Sequence, residues 1–475
     1  MHPPPMDRAE RKELFQMCNE NIPDHEMYLK KWFLGARLED IKRENVKEFF
    51  LWAFFDREGP PGADDEELEE FVAATEERLG RKIEPGRGNA KCLRLTLDGV
   101  DTLPRSLVWY ACVGFVDFLT YVSLLYHGFT FHRTALNRLF NLFPFRPQIL
   151  LARRQSPVKY TTYWHRPHTS KTKLPVLFIH GIGIGLYPYV SLLNELNSTH
   201  GLESNDPNDQ VGIIALEIMP VSFRLTHAAL SKQAMCAEIQ TILQHHGWNK
   251  IVVVSHSYGT VITTHLLKDA ATQSMIGAVV LIDPVSILLH LPDVAYNFTR
   301  RKPQKANEHQ LYYFASMDMG VSHTLSRHFF WSENILWKKD IEGHNVTVCL
   351  SGKDLIVDTE AVGTYLATSK PMTLTPTSST SSAQLIDASP DVPPELPCGS
   401  DDESSEGSNS SSQHGVERWK ERPWKGKGID ILWFNDLDHA QVLDKPATRR
   451  PLITAIRHYC AQEMTSSGEH ASLLE

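Results

Sequence analysis

Ser257 lies where the chain could present a nucleophile. A β-branched apolar run at 251–254 ends in the pattern Ser255-x-Ser257-x-Gly259, and a stretch of helical character follows at 260–269. A serine hydroxyl is a weak nucleophile at neutral pH, so an enzyme that uses one holds it on a tight turn beside a base. Small residues two before and two after the serine permit that turn, although Ser255 stands where glycine is usual. The alternative is a buried strand followed by a serine that caps a helix.

A glycine-rich turn follows an earlier apolar run at 176–179, with the sequence His180-Gly181-x-Gly183-x-Gly185. Glycines let the backbone approach a reacting carbonyl, and N–H groups in such a turn can bind the oxyanion that forms during acyl transfer. The spacing differs from the G-x-G-x-x-G fingerprint of dinucleotide-binding proteins. A plain loop is the other interpretation.

An acid and a base each follow a later apolar run. Asp354 comes after 346–350, and His439 comes after 429–434, where it could reach over the edge of a sheet to Ser257. A carboxylate in that place can orient a histidine and stabilise its imidazolium. Asp283, after the run at 278–282, is the competing acid; Asp354 could also be a helix N-cap, and His439 a solvated histidine. The 22 histidines form no convincing zinc spacing, so we expect no metal and no cofactor.

Together these motifs resemble an α/β-hydrolase of the serine esterase or lipase type, in the chain order Ser, Asp, His. The resemblance covers about 155–460 and implies Ser257 as nucleophile, His439 as general base and acid, and Asp354 as orienting acid. It also implies an oxyanion hole from the N–H groups of Tyr258 and Ile182, with Gly183 nearby. The long helical N-terminus joined to such a domain is similar to uncharacterised fungal proteins with an AB hydrolase-1 domain.

The elements that would position these residues alternate between strands and helices from about 155 onward. Strands apolar on both faces indicate a mostly parallel sheet covered by helices on both sides. We therefore predict an α/β-hydrolase fold with a helical cap and a helical N-terminal extension. The predicted strands are 159–165, 176–179, 211–219, 251–256, 278–282, 346–350 and 429–434.

The pattern divides the chain into segments. We predict a helical N-terminal extension at 1–104, an apolar helix at 105–133, the hydrolase core at 155–285, 344–368 and 428–465, a helical cap at 286–343, and a tail at 466–475. Ser, Thr, Pro and acidic residues dominate 369–419, which cannot bury enough apolar surface to fold and is expected to be disordered.

The apolar segment at 107–126 is long enough to span a bilayer. Asp117 in its middle would cost about 2.5 to 3.5 kcal/mol at the membrane centre. Tyr110, Gly114, Asp117 and Tyr121 fall on one helical stripe, so the carboxylate could face protein. A spanning helix, an interfacial helix and a buried core helix or lid all remain open.

Composition limits the function further. A net charge of -9 argues against nucleic acid as a main partner. Seven scattered cysteines and a polar N-terminus favour an intracellular, non-secreted protein, and the apolar segment at 107–126 favours association with a membrane. We expect a serine hydrolase that cleaves a hydrophobic or lipid ester; an acyltransferase with the same triad and a non-catalytic binding protein are the alternatives. The sequence gives no oligomeric state.

Overall fold

The computed structural model describes residues 3–197, 208–368 and 417–461. Within these ranges nine strands form one sheet in the order β2-β1-β3-β5-β4-β6-β7-β8-β9. The strands are β1 Thr130–Arg133, β2 Arg154–Gln155, β3 Thr162–Arg166, β4 Val176–Ile179, β5 Ile213–Glu217, β6 Ile251–His256, β7 Ile276–Ile282, β8 Asn345–Ser351 and β9 Ile429–Phe434. From β5 to the β9 edge all neighbours are parallel, whereas β3 runs antiparallel to both β1 and β5. The mostly parallel sheet is confirmed.

The helices cover both faces of this sheet. Their bounds are α1 Arg8–Glu20, α2 His25–Trp32, α3 Arg43–Phe55, α4 Asp65–Leu79, α5 Leu107–Tyr126, α6 Val190–Glu195, α7 Lys232–His245, α8 Gly259–Lys268, α9 Ala270–Gln273, α10 Pro292–Thr299, α11 Ala306–Leu311, α12 Met319–His328, α13 Trp331–Asn334, α14 Thr359–Ala367 and α15 Pro446–Cys460. Successive strand residues point to opposite faces, so Val253 of β6 packs into one core and Val252 and Val254 into the other.

The N-terminal helices dock onto the segment predicted as a cap. Lys31 of α2 pairs with Asp293 of α10 at 2.6 Å, and the Trp331 indole donates to the carbonyl of Ala53 at 2.9 Å. Arg327 of α12 donates to backbone carbonyls of the segment between α4 and α5. Residues before α5 therefore form part of the wall above the sheet, and not a separate appendage.

Two strands at the antiparallel edge were not predicted. β1 has only four residues and β2 only two, too few for an alternating pattern to be recognised. The predicted strand at 159–165 begins later, at Thr162. The sheet thus extends beyond the point where the sequence pattern first alternates.

Residues 369–416 of the predicted disordered insert at 369–419 lie outside the described residues, and so does the predicted tail at 466–475. Its last residues were assigned wrongly, because Glu417–Glu421 is a short 3₁₀ helix. Trp419 is buried there, 5.2 Å from the Trp433 ring and directly over Gly363 of α14. A large aromatic side chain recovers enough apolar burial to order the residues around it.

The apolar segment at 107–126 is a helix with the predicted bounds, α5. Ser106 caps its start by accepting a hydrogen bond from the N–H of Trp109 at 3.3 Å. By length and composition alone the helix could cross a membrane, but core helices of soluble proteins can have the same length and composition. One face of the helix, including Tyr110, Val113 and Asp117, is buried against the domain.

Candidate active site

The chain turns sharply at Ser257, between the end of β6 and the start of α8. Ser257 has a φ of +51°, a left-handed conformation that costs a non-glycine residue free energy. The turn is fixed from both sides: the Ser257 N–H donates to the carbonyl of Ile282 at 2.9 Å, and its carbonyl accepts from the Thr260 hydroxyl at 2.6 Å. The strained turn holds the hydroxyl away from its own strand.

Close packing explains which positions of the motif must be small. A Cβ at Gly259 would clash with the carbonyl oxygen of Ile179, and one at Gly181 would lie 2.8 Å from the Cβ of Ser257. Ser255, in contrast, is accommodated: it is fully buried, and its Oγ accepts a hydrogen bond from Thr263 at 2.8 Å. The side chain of this unusual serine is therefore satisfied by α8, the helix that follows the turn.

Three side chains from three separate loops meet beside this turn. The Oγ of Ser257 lies 2.9 Å from Nε2 of His439, and Nδ1 of His439 lies 2.7 Å from Oδ2 of Asp354. Since a carboxylate can only accept, Nδ1 carries a proton, and in the neutral imidazole Nε2 accepts from the serine hydroxyl. Ser257, His439 and Asp354 follow β6, β9 and β8, all at the carboxyl ends of parallel strands.

The carboxylate of Asp354 is inaccessible to solvent and is saturated with hydrogen bonds. Its second oxygen, Oδ1, accepts from the backbone N–H groups of Ile356 at 2.8 Å and Val357 at 3.0 Å. These bonds fix the direction of Oδ2 toward the imidazole of His439.

Asp283, the competing acid, is fully buried and does not bond to the imidazole in the structure. One of its oxygens accepts from the Ser351 hydroxyl, and the other from the backbone N–H of Ala440, both at 2.8 Å. Ala440 has a φ of +68°, so Asp283 holds the strained residue that follows His439. The two acids thus contact the histidine loop in different ways.

The charges of this cluster act on one another. Burial by itself would lower the pKa of His439, but the negative charge of Asp354, its hydrogen bond and the charge of Asp283 raise it to about 9. Burial raises the pKa of Asp283 to about 6, against the opposing effect of His439. The site therefore favours the imidazolium, which is the state a general base reaches after it takes a proton.

Contacts that the sequence did not reveal join the histidine loop to the acid loop and to α11. Asp438 accepts through Oδ1 from the N–H of Leu355 at 3.0 Å, and through Oδ2 from the Asn307 side chain at 2.7 Å. At Gly352, a Cβ would lie 2.5 Å from the carbonyl oxygen of Asn435. A carboxylate one residue before His439 was visible in the sequence, but its partner 83 residues away was not.

The backbone donors predicted for an oxyanion hole differ in their availability. Among the residues that the structure describes, none accepts a hydrogen bond from the N–H of Ile182 or of Tyr258. The N–H of Gly183 donates to the carbonyl of Val221 at 3.1 Å, so it is engaged in the turn itself. Ile182 and Tyr258 line the same cavity as Ser257.

Two further histidines lie beneath the site. His180 accepts from the N–H of Ile218 at 2.9 Å and donates to the carbonyl of Gly181 at 2.7 Å, which fixes the glycine turn. His256 bonds to the Tyr189 hydroxyl at 2.8 Å, and its Nε2 lies 3.8 Å from Asp283. Burial lowers the pKa of His180 to about 4 and that of His256 well below its usual value, so both imidazoles are neutral.

A cavity begins at Ser257 and is lined almost entirely by apolar and aromatic side chains. The cap supplies residues such as Leu289, Phe298 and Phe329, whereas Trp32, Trp52 and Leu95 come from the N-terminal segment. The sequence pattern did not indicate a role for that segment in the site, because its contacts with the cap join residues that are far apart in the sequence. A larger cavity nearby shares Tyr258 but does not include Ser257.

Among the residues that the structure describes, two side-chain groups each bring three possible metal-ligating atoms within 4.8 Å of one another. One is Asp283, Asp354 and His439, in which Nδ1 of His439 is already hydrogen-bonded to Asp354. The other is His132, His165 and His246, where the Tyr163 hydroxyl bonds to His132 at 3.0 Å and to His246 at 2.9 Å. No local pattern indicated this second group, since its members lie on β1, on β3 and at the end of α7.

Comparison with known proteins bears on the fold. A family model described as the alpha/beta hydrolase fold matches residues 175–349. No curated protein matches the sequence.

Three solved structures illustrate the structural similarity. A membrane phospholipase A, described as a bacterial virulence factor, has 9% identity and a TM-score of 0.39 over 74% of this chain and 94% of its own. A 2-hydroxy-6-oxo-6-phenylhexa-2,4-dienoate hydrolase from Rhodococcus sp. has 12% identity and a TM-score of 0.35 over 62% and 94%. A carboxylesterase structure from Nitrososphaera gargenis has 11% identity and a TM-score of 0.34 over 63% and 95%.

At these identities and TM-scores nothing about the substrate of this chain follows from its structural neighbours. The matched family model and the nine-stranded, mostly parallel sheet agree with each other. Residues 175–349 match the alpha/beta hydrolase fold, and the sheet of the described residues is consistent with that fold.

Proposed function

We propose that the protein is a serine hydrolase that cleaves a carboxylic ester through an acyl-enzyme on Ser257. The observation that carries this proposal is the continuous pair of hydrogen bonds from Ser257 through His439 to Asp354, at 2.9 and 2.7 Å. A serine, a base and an orienting acid in this geometry supply a nucleophile whenever the imidazole is neutral.

In the first half-reaction Ser257 Oγ attacks the ester carbonyl carbon while its proton passes to Nε2 of His439. The carbonyl oxygen becomes an oxyanion, which accepts hydrogen bonds from the N–H groups of Ile182 and Tyr258. The carbon–oxygen bond to the leaving alcohol then breaks, and His439 returns its proton to that oxygen. Asp354 stabilises the imidazolium in between and keeps Nδ1 protonated.

In the second half-reaction water takes the place of the alcohol. His439 accepts a proton from the water, whose oxygen attacks the acyl carbon, and the bond to Ser257 Oγ breaks. The proton passes back to Oγ, which regenerates the serine and releases a carboxylic acid. An alcohol could attack in the same way, so the geometry also serves acyl transfer.

The cavity favours a hydrophobic, lipid-like ester as the substrate. Apart from Ser257, Tyr258 and Thr299, its lining consists of apolar and aromatic residues. Burial of an acyl chain there contributes about 0.8 kcal/mol per methylene. A polar acyl group would lose its hydration without gaining hydrogen bonds from these walls.

We place this activity inside the cell at a membrane surface. The six cysteines that the structure describes are unpaired, as in a reducing compartment. The outward face of α5 exposes Phe115, Phe118 and Val122 to solvent, which is unusual for the surface of a soluble domain. A lipid ester would reach the protein from such a surface.

Labelling with a fluorophosphonate probe tests the proposal directly. We expect the full-length protein to react, and Ser257→Ala to lose the label entirely. Ser255→Ala is the matched control, because that serine is buried two residues away and should leave labelling intact. No labelling of the folded wild-type protein would contradict the assignment of Ser257 and would leave a non-catalytic binding role.

Product analysis on a panel of p-nitrophenyl esters of increasing chain length then addresses the substrate. We expect kcat/KM to rise with chain length over the medium-chain esters. Adding an alcohol acceptor separates hydrolysis from transfer, since a transferase would give a new ester in place of the free acid.

A further inference from the structure

The outward face of α5 is apolar along its whole length. Ten of its residues are exposed, and none carries a charge: Leu107, Val108, Ala111, Cys112, Phe115, Phe118, Leu119, Val122, Leu125 and Tyr126. Phe115 is 62% exposed and Phe118 50% exposed. A surface helix of a soluble protein normally shows the opposite arrangement, with its polar face outward.

The polar residues of α5 point into the protein, where Asp117 is held by a buried ion cluster. Oδ1 of Asp117 accepts from Arg224 at 2.7 Å, and Oδ2 accepts from Arg146 at 2.6 Å and from Gln148 at 2.8 Å. Arg146 also makes two hydrogen bonds to Glu217, at the end of β5, at 2.8 and 2.9 Å. The middle of the helix is therefore tied to the central sheet.

Both ends of α5 are tied to the same domain. Before the helix, the N–H of Leu103 donates to the carbonyl of Met317 at 2.9 Å. After it, the chain enters β1, which pairs with β3 in the sheet. A helix of 20 residues is about 30 Å long, and a spanning helix must deliver its ends to opposite sides of the bilayer. This helix instead lies flat along one folded body.

A second exposed apolar segment extends the face of α5. Phe140 is 75% exposed and stacks edge-on with Phe145, which contacts Phe143, whose ring lies 5.0 Å from Tyr110 of α5. Leu151, also 75% exposed, follows a few residues later. The outer residues of α5 and of 136–151 together form what we call the α5 face.

The charge around the α5 face is opposite in sign to that of the whole chain. Residues 105–159 contain seven Lys and Arg residues and a single acidic residue, Asp117, whereas the chain carries a net charge of -9. Asp117 is neutralised inside the protein, and Arg153 and Arg154 are exposed at the end of the 136–151 segment. Basic residues beside an apolar face complement anionic lipid headgroups.

We propose that the α5 face docks in the plane of an anionic phospholipid bilayer, so that the protein is monotopic and α5 does not span the membrane. This inference rests on the membrane association proposed above and specifies its surface and its lipid. Apolar side chains of α5 enter the headgroup and acyl boundary, while the arginines contact lipid phosphates and carboxylates.

Flotation of the full-length protein with vesicles tests this arrangement. We expect binding to vesicles of phosphatidylcholine and phosphatidylserine, and at least about tenfold weaker binding to phosphatidylcholine alone, since each basic residue near an anionic surface adds attraction. Phe115→Asp combined with Phe118→Asp should reduce binding by more than about tenfold, because charges would enter the apolar boundary. Met27→Asp, at a residue 48% exposed on α2, is the matched control and should bind as the wild type does.

Charge reversal separates the lipid charge from the apolar contact. Arg153→Glu with Arg154→Glu should remove the preference for phosphatidylserine, whereas Arg81→Glu, exposed in the N-terminal segment, should keep it. Circular dichroism melts confirm that each variant is folded before flotation is interpreted.

Several results would overturn the inference. Unchanged flotation of the double aspartate variant would do so. Dimerisation through the α5 face, with no binding of the wild-type protein to vesicles, would do so too. Protease protection that places residues 3–104 and 130–197 on opposite sides of sealed vesicles would show a spanning helix. Fluorophosphonate labelling without vesicles reports on Ser257 separately, so failure of docking and failure of the proposed chemistry are distinguishable.

Discussion

Carboxylates are buried in pairs both at His439 and at Arg146, and the cation that each pair meets gives it different properties. In the His439 cluster, Asp354 and Asp283 flank an imidazole. In the Asp117 cluster, Asp117 and Glu217 are bridged by the guanidinium of Arg146. An imidazole gains and loses its proton near neutral pH, whereas a guanidinium does not. The partner therefore decides whether a buried carboxylate serves proton transfer or only holds elements together.

The surroundings of the two clusters also differ. The His439 cluster joins loops that end three strands and opens onto the cavity at Ser257. The Asp117 cluster joins α5 to β5 and is closed on all sides, with side chains of Asp117 and Arg146 that are 4% and 2% exposed. Substitutions in the His439 cluster should change the reaction rate, and substitutions in the Asp117 cluster should change the stability of the fold.

The largest effect is expected from Asp354→Asn. An amide cannot hold Nδ1 in its protonated form or stabilise the imidazolium, so kcat should fall by about 10³ to 10⁴-fold while the protein stays folded. Hydrolysis of a soluble p-nitrophenyl ester measures this. Asp358→Asn is the matched control, because Asp358 caps α14 and asparagine caps as well. A loss smaller than tenfold would mean that Asp283 can take over as the orienting acid.

Asp117→Asn should act on stability instead. It leaves the buried Arg146 and Arg224 with less negative charge to compensate them, which lowers the free energy of unfolding by about 3 to 5 kcal/mol. Denaturant unfolding measures the change. Asp293→Asn removes a more exposed pair with Lys31 and should cost less than about 1 kcal/mol. Equal effects of the two substitutions would contradict a structural role for the Asp117 cluster.

The pH dependence of the two clusters should also differ. With its pKa raised to about 9, His439 is mostly protonated at pH 7 in the free enzyme, so kcat/KM should rise about tenfold per pH unit and level off near pH 9. A profile that is already flat from pH 7 upward would contradict this. Burial opposes ionisation of Glu217, but Arg146 lowers its pKa to about 2, so Glu217 stays charged throughout the same range.

Stability should depend on pH with opposite signs at the two clusters. The pKa of His439 is raised on folding, so its contribution is complete below about pH 6.5 and is lost as the pH rises toward 9. The pKa of Glu217 is lowered, so its contribution is present above about pH 4.5 and is lost as the pH falls toward 2. Urea unfolding of the wild type, His439→Gln and Glu217→Gln across pH measures both losses. The loss of stability at high pH should be absent from His439→Gln, and the loss at low pH should be absent from Glu217→Gln.

The sequence could predict the His439 cluster better than the Asp117 cluster for a physical reason. Parallel strands bring their carboxyl ends to one edge, so residues that follow apolar runs, such as Asp354 and His439, converge whatever the loops between them do. The bounds of α5 were likewise visible from its uninterrupted apolar character.

The partners of Asp117 could not be found in this way. Arg146 and Arg224 lie 29 and 107 residues further along the chain, on segments without regular periodicity. The same limit hid the contribution of Trp32 and Trp52 to the cavity, since only tertiary contacts between the N-terminal helices and the cap bring them there. Local patterns predict elements, and long-range contacts between irregular segments leave no comparable signal.

The smallest effect is expected from Asp283→Asn, which distinguishes the two acids within the His439 cluster. The charge of Asp283 helps to raise the pKa of His439, so its removal should move the alkaline rise of kcat/KM to lower pH by less than about one unit. Loss of the bond to Ala440 should loosen the histidine loop and lower kcat by about tenfold or less. Ser351→Ala removes only the other partner of Asp283, so it should leave the pH profile in place. If Asp283→Asn lowered kcat as much as Asp354→Asn without moving the profile, Asp283 would be the orienting acid, and the bond between His439 and Asp354 would be secondary.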